Sequence, residues 1–301
     1  MVAFSEKEVN FWVGVPQCDW LTLGSFAQPV YDGFHAWVRD LAGDKKLEYD
    51  SKVMQYVGIR HGGAFAGVAT QAGKLHGLLS VGGDVAHDAV MNDFSVGIEK
   101  PFMTEKEVTT KIEIIEPRCT RVDLQLTVPL LEEYSARGLT DQLRSGHWSR
   151  KGAAPQVDVY DSADGMDTVY VGSRSSNRFW RIYVKAADEG KYLRFEVEYK
   201  GRRARKVFSI VHPDPGSIGP ILLNEWSVAP DVDEKTWNSI GEVLEAYGKG
   251  LDVPVPRARV SNDRTLRWMN RVVWPVIKRQ LKDHDTGPRT RRVLEDLLRG
   301  H

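Results

Sequence analysis

The chain has 301 residues, 42% of them hydrophobic and 27% charged, and its 41 basic and 41 acidic residues cancel to a net charge of zero. Such a composition is ordinary for a folded soluble protein of one large or two modest domains, so overall charge indicates no class of partner. The two cysteines, Cys18 and Cys119, form no CxxC pair or Cys/His cluster, which argues against a disulfide framework or a zinc site. The first residues lack a signal-peptide pattern and no stretch suits a bilayer span, so we expect a cytoplasmic protein without a membrane partner.

Strand and helix patterns follow one another in the first half of the chain. Pro29 suits only the first turn of a helix, and two strand patterns flank His61-Gly62-Gly63, which predicts a hairpin there. In chain order, the predicted elements are a strand at 19–23, a helix over 25–41, strands at 53–60, 64–70 and 75–81, and a helix over 84–91.

A similar order of elements recurs after Pro117, which indicates a duplicated α+β unit although no internal sequence repeat is clear. The predicted elements are a strand around Arg121 that ends at Pro129, a helix over 130–143, a strand within 158–172 and strands across 168–206. The turn-rich segment 212–216 ends this half, and the chain beyond it is mainly helical, over 234–249, 263–283 and 288–299.

These patterns predict an α+β fold with two largely antiparallel sheets, helices packed on one side and a pseudo-duplicated arrangement. The predicted domains are an α+β domain at 1–215 and a helical C-terminal region at 216–301.

Three strand segments each place chemically active side chains on one face, because residues two apart in a strand point the same way. In one sheet they would present a tyrosine, three carboxylates and many cations on a single surface, a set that suits phosphodiester chemistry. The side chains that share these faces are Arg121, Asp123 and Gln125; Arg181, Tyr183 and Lys185; and Arg194, Glu196, Glu198 and Lys200.

Tyr183 is the candidate nucleophile. A phenol is a weak nucleophile because its pKa is near ten, and nearby cations favour the phenolate; Arg181 and Lys185 are its neighbours on the same face. A tyrosine so placed can attack phosphorus and form a covalent ester. On spacing alone, however, a half-buried packing role is the commoner one for a tyrosine between apolar strand residues.

Asp123, Glu196 and Glu198 are the candidate metal ligands. Carboxylates from adjacent strands are hard oxygen donors of the kind that Mg²⁺ and Mn²⁺ prefer, and such an ion polarises a phosphoryl group. The alternative is that the two glutamates pair with cations across the strands on a solvated face.

Basic residues are concentrated in two regions. Between Arg174 and Lys206 there are 11 Lys/Arg against 4 Asp/Glu, and between Arg257 and His301 there are 12 against 5. Such regions can bind a polyanion, although solvated faces explain most single basic runs. The turn Gly172-Ser173-Arg174-Ser175-Ser176 could hold a phosphate through backbone N–H groups and its guanidinium.

Taken together, these segments resemble the replication initiation factors of rolling-circle plasmids of the trans-acting type, whose relatives include relaxases of integrative elements and phage initiators. The resemblance covers about residues 17 to 210, and Val184 departs from the family pattern, which usually has an acidic or polar residue there. The matching segments are Arg121-Val122-Asp123, the Gly172–Ser176 turn, Arg181-Ile182-Tyr183-Val184-Lys185 and Arg194-Phe195-Glu196-Val197-Glu198-Tyr199-Lys200.

The resemblance implies that Tyr183 cleaves one DNA strand at an origin and stays joined to the 5′ phosphate, assisted by Arg181 and Lys185 and by Mg²⁺ or Mn²⁺ on the three acids. The implied partners are single-stranded or hairpin origin DNA with its flanking duplex; a host helicase and a second copy of the chain are further candidates. The DNA-binding residues expected from the family match and from the basic segments are Arg174, Ser176, Arg178, Arg194, Lys200, Arg202, Arg264, Arg267 and Arg271.

Two other functions remain open at this point. A non-catalytic, sequence-specific DNA-binding regulator would keep the fold and the basic face, although intact Tyr183 and carboxylates count against it. An RNA-binding module would stack bases on Trp180 and Tyr199, but unmetallated carboxylates on its working face would repel phosphate.

Overall fold

The computed structural model describes residues 13–103, 108–130, 134–146, 155–162, 167–187, 190–227, 235–254, 271, 274–282, 288 and 292. The chain separates into two compact units, Met1–Val255 and Pro256–His301. Residues 216–255 therefore pack with the first unit, so the compact units do not divide at residue 215. The predicted division into a catalytic domain and a DNA-binding region concerns function, and it stays a prediction.

The first half of the larger unit is a strand, a helix, four strands and a second helix. Pro29 lies in the first turn of the first helix, as its missing N–H requires. The elements are β1 (Gln17–Ser25), α1 (Gln28–Ala42), β2 (Glu48–Val53), β3 (Tyr56–His61), β4 (Ala64–Gln71), β5 (Lys74–Gly82) and α2 (Asp84–Met91).

A two-stranded antiparallel sheet, β6 (Val96–Met103) and β7 (Val108–Ile115), separates this half from the next. The second half repeats the order of the first. Its elements are β8 (Arg118–Pro129), α3 (Ala136–Ser145), β9 (Val157–Tyr160), β10 (Thr168–Val171), β11 (Arg178–Ala187), β12 (Gly190–Lys200) and α4 (Gly201–Val211).

The two halves join edge to edge into one ten-stranded antiparallel sheet with the order β2-β3-β4-β5-β1-β8-β12-β11-β10-β9. β1 and β8 pair at the centre. Outward from β1 the strands are β5, β4, β3 and β2, and outward from β8 they are β12, β11, β10 and β9, so each half runs in reverse chain order. The α+β class is confirmed. The pseudo-duplication is visible in this mirrored strand order.

All six helices of the described larger unit contribute to one buried apolar cluster with the sheet. Leu21, Leu124 and Ile182 belong to that cluster and are fully buried, whereas the alternate residues of the same strands point to the opposite side. The remaining helices of this unit are α5 (Ile218–Trp226), after a short 3₁₀ turn at Pro215–Ser217, and α6 (Lys235–Glu245). One face of the sheet is thus covered by helices, and we call the other the open face.

Two local expectations were wrong. The segment Gly201–Lys206, which was expected to continue the strand run, forms the start of α4 because Gly201 takes a positive φ of 58° and Ala204 and Val207 turn into the core. The helix predicted from residue 130 begins at Ala136, because Ser135 caps it by accepting a hydrogen bond from the Gly138 N–H.

In the second unit, the described helix is α7 (Trp274–Lys282), with Pro275 in its first turn. The predicted helices at 263–283 and 288–299 otherwise lie largely outside the described residues. In the described part of the chain, no helix has the length and apolarity that crossing a bilayer requires.

Candidate active site

The predicted faces of β8, β11 and β12 meet on the open face. Strand register places Arg181 opposite Glu196, and Glu198 opposite Asp123, so directly facing side chains lie on the same side of the sheet. Tyr183 faces Arg194 in the same way. Alternation along each strand and the antiparallel register therefore bring the predicted nucleophile and the three acids together.

Two arginines connect the three carboxylates. Arg121 donates from Nε to Asp123 Oδ1 at 2.9 Å and lies 3.0 Å from Glu198 Oε2. Arg181 donates from Nη2 to Asp123 Oδ2 at 2.8 Å and also donates to Glu196 Oε1. The guanidinium groups cover the acids, so Asp123 and Glu196 have 0% and 1% of their surface exposed although no helix covers this face.

Burial changes the proton affinity of these acids. Loss of solvation raises the pKa of Glu196 to about 8; the negative charge of Asp123 adds to the rise, and Arg181 opposes it. The pKa of Asp123 is also raised by burial, although Arg121 and Arg181 pull it down. The alternative in which the two glutamates pair with cations agrees with the ion pairs of the structure, except that these pairs are buried rather than solvated.

Tyr183 donates from its hydroxyl to Glu196 Oε2 at 3.1 Å. Burial and the adjoining Glu196 carboxylate raise the pKa of the phenol above its usual value, with Arg194 opposing the rise. This direction is opposite to the expectation that Arg181 and Lys185 would favour the phenolate. Lys185 lies two residues further along β11, opposite Tyr192. The group that the phenol contacts is the Glu196 carboxylate, which is a base rather than a cation.

Arg194 is held by a residue that the sequence analysis missed. It donates from Nη1 to Asp19 Oδ1 at 2.9 Å and from Nε to Thr127 Oγ1 at 3.1 Å. A bulge between Cys18 and Trp20 turns Asp19 toward the open face, whereas strict alternation would put it beside Leu21 in the core. An aspartate at a core position of a strand was the available signal.

Two predicted DNA-binding residues, Lys200 and Arg174, lie near the network on the open side. Lys200 contacts Glu198 and donates to the Arg174 carbonyl at 2.7 Å. The Arg174 guanidinium lies 4.9 Å from the ring centre of Tyr170, which stacks on Phe179. Ser176 is engaged locally, with its hydroxyl bonded to the backbone of Arg178.

Other predicted DNA-binding residues are not brought to the network. Arg178 lies opposite Tyr199 on the helix-covered face and donates to Glu225 Oε2 at 2.9 Å. Glu225 is buried in α5 and also accepts from the Trp180 indole at 3.2 Å, a role with no local sequence signal.

The remaining basic residues lie elsewhere. Arg202 is exposed in the first turn of α4, and Arg271 is exposed in the second unit. Arg264 and Arg267 lie outside the described residues.

The three carboxylates fit a divalent cation by their chemistry. Carboxylate oxygens are the donors that Mg²⁺ and Mn²⁺ prefer. Among the residues with a described position, no group of three or more His, Cys, Asp or Glu side chains is arranged to hold a metal ion. Arg181, which contacts all three acids, supplies the positive charge between them in this arrangement.

No family model and no curated protein matches the sequence. Among solved structures, the chain is similar to a rolling circle replication initiator protein from Geobacillus stearothermophilus, with 14% identity and a TM-score of 0.46 over 80% of this chain and 99% of that one. At that identity and TM-score, the likeness assigns neither a family nor a residue role to this chain.

Proposed function

We propose that the protein cleaves and rejoins one strand of DNA, with the Tyr183 hydroxyl as the nucleophile. The observation that carries the proposal is the hydrogen bond from that hydroxyl to the buried Glu196 carboxylate, 3.1 Å long, beside Arg181. A nucleophile in contact with a base that is itself oriented by a third group is the arrangement that nucleophilic catalysis requires. The order of motifs that resemble the rolling-circle initiation factors is independent support from the sequence.

The reaction is a transesterification at phosphorus. The Tyr183 oxygen forms a bond to the phosphorus atom while the bond from phosphorus to the 3′ oxygen breaks, leaving a 5′-phosphotyrosine and a free 3′ hydroxyl. Glu196 accepts the phenol proton, and the leaving 3′ oxygen takes a proton from water; Glu196 then returns its proton to solvent, so the complete step is neutral in protons. One phosphodiester replaces another, and rejoining is the same step in reverse, without a nucleotide cofactor.

Cations of the open face would bind the phosphate and the charge that develops on it. Arg194 lies directly opposite Tyr183 and Arg181 lies in the adjacent row, and guanidinium groups hydrogen-bond phosphate oxygens in pairs. Lys200 lies three rows away, next to Glu198, and would contact the neighbouring backbone. Asp19 acts through Arg194 and is a positioning residue.

A divalent ion, Mg²⁺ or Mn²⁺, would be held by Asp123, Glu196 and Glu198 and would offset charge on the phosphate oxygens. The chain's own residues hold the proton acceptor and the phosphate-binding cations whether or not such an ion is bound. Arg181 would then turn from the acids toward the substrate.

The test is a cleavage assay on single-stranded oligonucleotides tiled from the candidate origin of the element that carries the gene, with and without Mn²⁺ or Mg²⁺. The proposal requires a covalent protein–DNA adduct that disappears in Tyr183→Phe. Binding of origin DNA without an adduct under every condition would refute it.

One observation favours the second function, a non-catalytic DNA-binding regulator. The acids are already paired with arginines, and the pKa of Tyr183 is raised, so the network also suits a purely structural role. The same assay separates the two functions, because a regulator binds origin DNA and forms no adduct.

A further inference from the structure

A second concave region lies on the open face, in the first half of the sheet. It is a cavity of about 810 Å³ next to the ionic network, because Arg121 both lines it and donates to Asp123. The cavity floor is made of small residues of β1 and β5, namely Thr22, Gly24 and Ser80. Nothing in the proposed cleavage step uses this space.

Flat rings form one wall of the cavity. Phe26 lies edge-on to the His76 ring with 4.5 Å between centres, and the Tyr56 hydroxyl lies 2.9 Å from His76 Nδ1. Gln71 donates to the same hydroxyl, which fixes the Tyr56 ring. Phe26 keeps 57% of its surface exposed, an unusual value for a phenylalanine that already has an aromatic neighbour. The wall is thus rigid on one side and open to a ligand on the other.

Glycines keep the sheet surface free beneath these rings. A Cβ atom on Gly24 would lie 2.6 Å from His76 Cε1, and one on Gly82 would lie 2.7 Å from the Trp20 ring, both far inside normal contact distance. The two rings therefore lie close against the backbone only because these positions are glycine.

Arginines form the opposite wall. Arg118 and Arg205 line the cavity together with Arg121, whose guanidinium lies 4.9 Å from the Trp20 ring centre. Burial and the like charges of Arg118 and Arg202 lower the pKa of Arg205, which places several cations close to one another. Glu116 also lines this wall, but among the described residues no ion pair within 4 Å joins an acid to Arg118 or Arg205. Like charges held together in this way attract an anion.

We propose that this cavity binds unpaired nucleotides of single-stranded DNA, with one base against Phe26, another against Trp20, and the phosphate between them at Arg118 and Arg205. Aromatic platforms beside a cationic groove are the common means of holding single strands, because every base has a flat face. A duplex hides those faces, so the cavity selects unpaired DNA. The inference rests on the proposed function: the bound nucleotides belong to the strand that Tyr183 cleaves.

The position of the cavity suits that strand. Trp20 on β1 is level with Phe179 on β11, three strand spacings or about 14 Å across the sheet, and Tyr183 lies four residues, or about 13 Å, further along β11. Arg121, Arg181 and Lys200 lie between them on the same face. One single strand can therefore contact the cavity and the nucleophile at the same time.

The test compares two probes: fluorescent oligo(dT) and an oligonucleotide of equal length made only of abasic sugar-phosphate units. Wild-type protein binds oligo(dT) more tightly. Phe26→Ala weakens oligo(dT) binding about 5- to 100-fold, the range for loss of one base stack, and leaves abasic binding unchanged. Arg205→Ala weakens the binding of both probes. Matched controls are the exposed Tyr49→Ala and Arg39→Ala, which change neither affinity.

Equal wild-type affinities for the two probes would overturn the proposal, as would Phe26→Ala binding oligo(dT) like the wild type. Competition by duplex DNA as strong as that by oligo(dT) would overturn it too. Photocrosslinking of 5-iodouracil oligonucleotides provides a readout without substitutions, and the expected crosslinks are to Trp20, Phe26 or Tyr56. Tyr183→Phe should keep the preference for oligo(dT) over the abasic probe. In the wild type, a missing adduct therefore refutes strand cleavage, whereas a missing preference for oligo(dT) refutes base binding in the cavity.

Discussion

Glu196 connects the candidate nucleophile to the cations of the site: the Tyr183 hydroxyl donates to Oε2 at 3.1 Å, and Arg181 donates to Oε1 of the same carboxylate. The carboxylate is buried, and its pKa is raised to about 8. A base with a pKa near the working pH is well matched to accept a phenol proton. Glu196 is therefore the proton acceptor that the proposed reaction needs.

Glu196→Gln keeps the shape and the ability to accept a hydrogen bond from Tyr183 but cannot take its proton. We expect the single-turnover rate of strand cleavage to fall by about 10²- to 10⁴-fold, the usual contribution of a general base. The matched control is Glu245→Gln, an exposed glutamate of α6, which leaves the rate unchanged. Cleavage at the wild-type rate in Glu196→Gln would remove Glu196 from the proposed step.

The stability of the metal-free protein should depend on pH through the same residue. The pKa of Glu196 is higher in the folded protein than its usual 4.5, so its contribution is complete below about pH 4.5 and is lost as pH rises through about 8. Urea unfolding in the presence of a chelator should therefore give a lower midpoint at about pH 9 than at about pH 6. Glu196→Gln should flatten that dependence, and an unchanged slope would be inconsistent with the raised pKa.

Arg181→Ala removes the cation that contacts Asp123 and Glu196 and leaves buried negative charge behind. Without added metal, we expect the free energy of unfolding to fall by about 3 kcal/mol. Mn²⁺ should then raise the melting temperature of Arg181→Ala more than that of the wild type, because a cation can replace the guanidinium. Equal shifts in both proteins would argue against metal binding by the acids. Arg39→Ala is the control: loss of this exposed arginine should leave both the stability and the Mn²⁺ shift of the wild type.

Asp19→Ala should weaken the support of Arg194, whose side chain is only 7% exposed. Loss of a hydrogen bond to a charged group costs about 1.5 to 3 kcal/mol of unfolding free energy. In a double-mutant cycle with Arg194→Met, we expect the two losses to be less than additive, because both remove one contact. Strict additivity would mean that Asp19 and Arg194 do not depend on each other.

The composition of the open face was predictable, whereas its burial was not. Alternation along a strand is fixed by backbone geometry, so Arg181, Tyr183, Glu196 and Glu198 could be assigned to one side from the sequence. Their burial depends on arginines reaching over from neighbouring strands, and the central β1–β8 pairing joins residues about a hundred positions apart. Neither the covering by arginines nor the long-range strand pairing leaves a pattern in the local sequence.

Local exceptions also escaped the sequence patterns. The bulge that turns Asp19 outward breaks the period-two rule at a single residue. The cavity gathers residues from β1 to β5, β8 and α4 together with Phe26 between β1 and α1, and none of its aromatic residues stands out in its local sequence. By contrast, the sequence predicted that a helix opens at Asp84–Met91, and α2 occupies those residues.

The most direct test of the central claim is peptide mapping of the protein–DNA adduct after cleavage of a single-stranded origin oligonucleotide. We predict that the nucleotide is attached to Tyr183, that Tyr183→Phe forms no adduct, and that Tyr192→Phe, a tyrosine of the same face, forms it normally. Attachment to another residue, or an adduct of wild-type yield in Tyr183→Phe, would contradict the account.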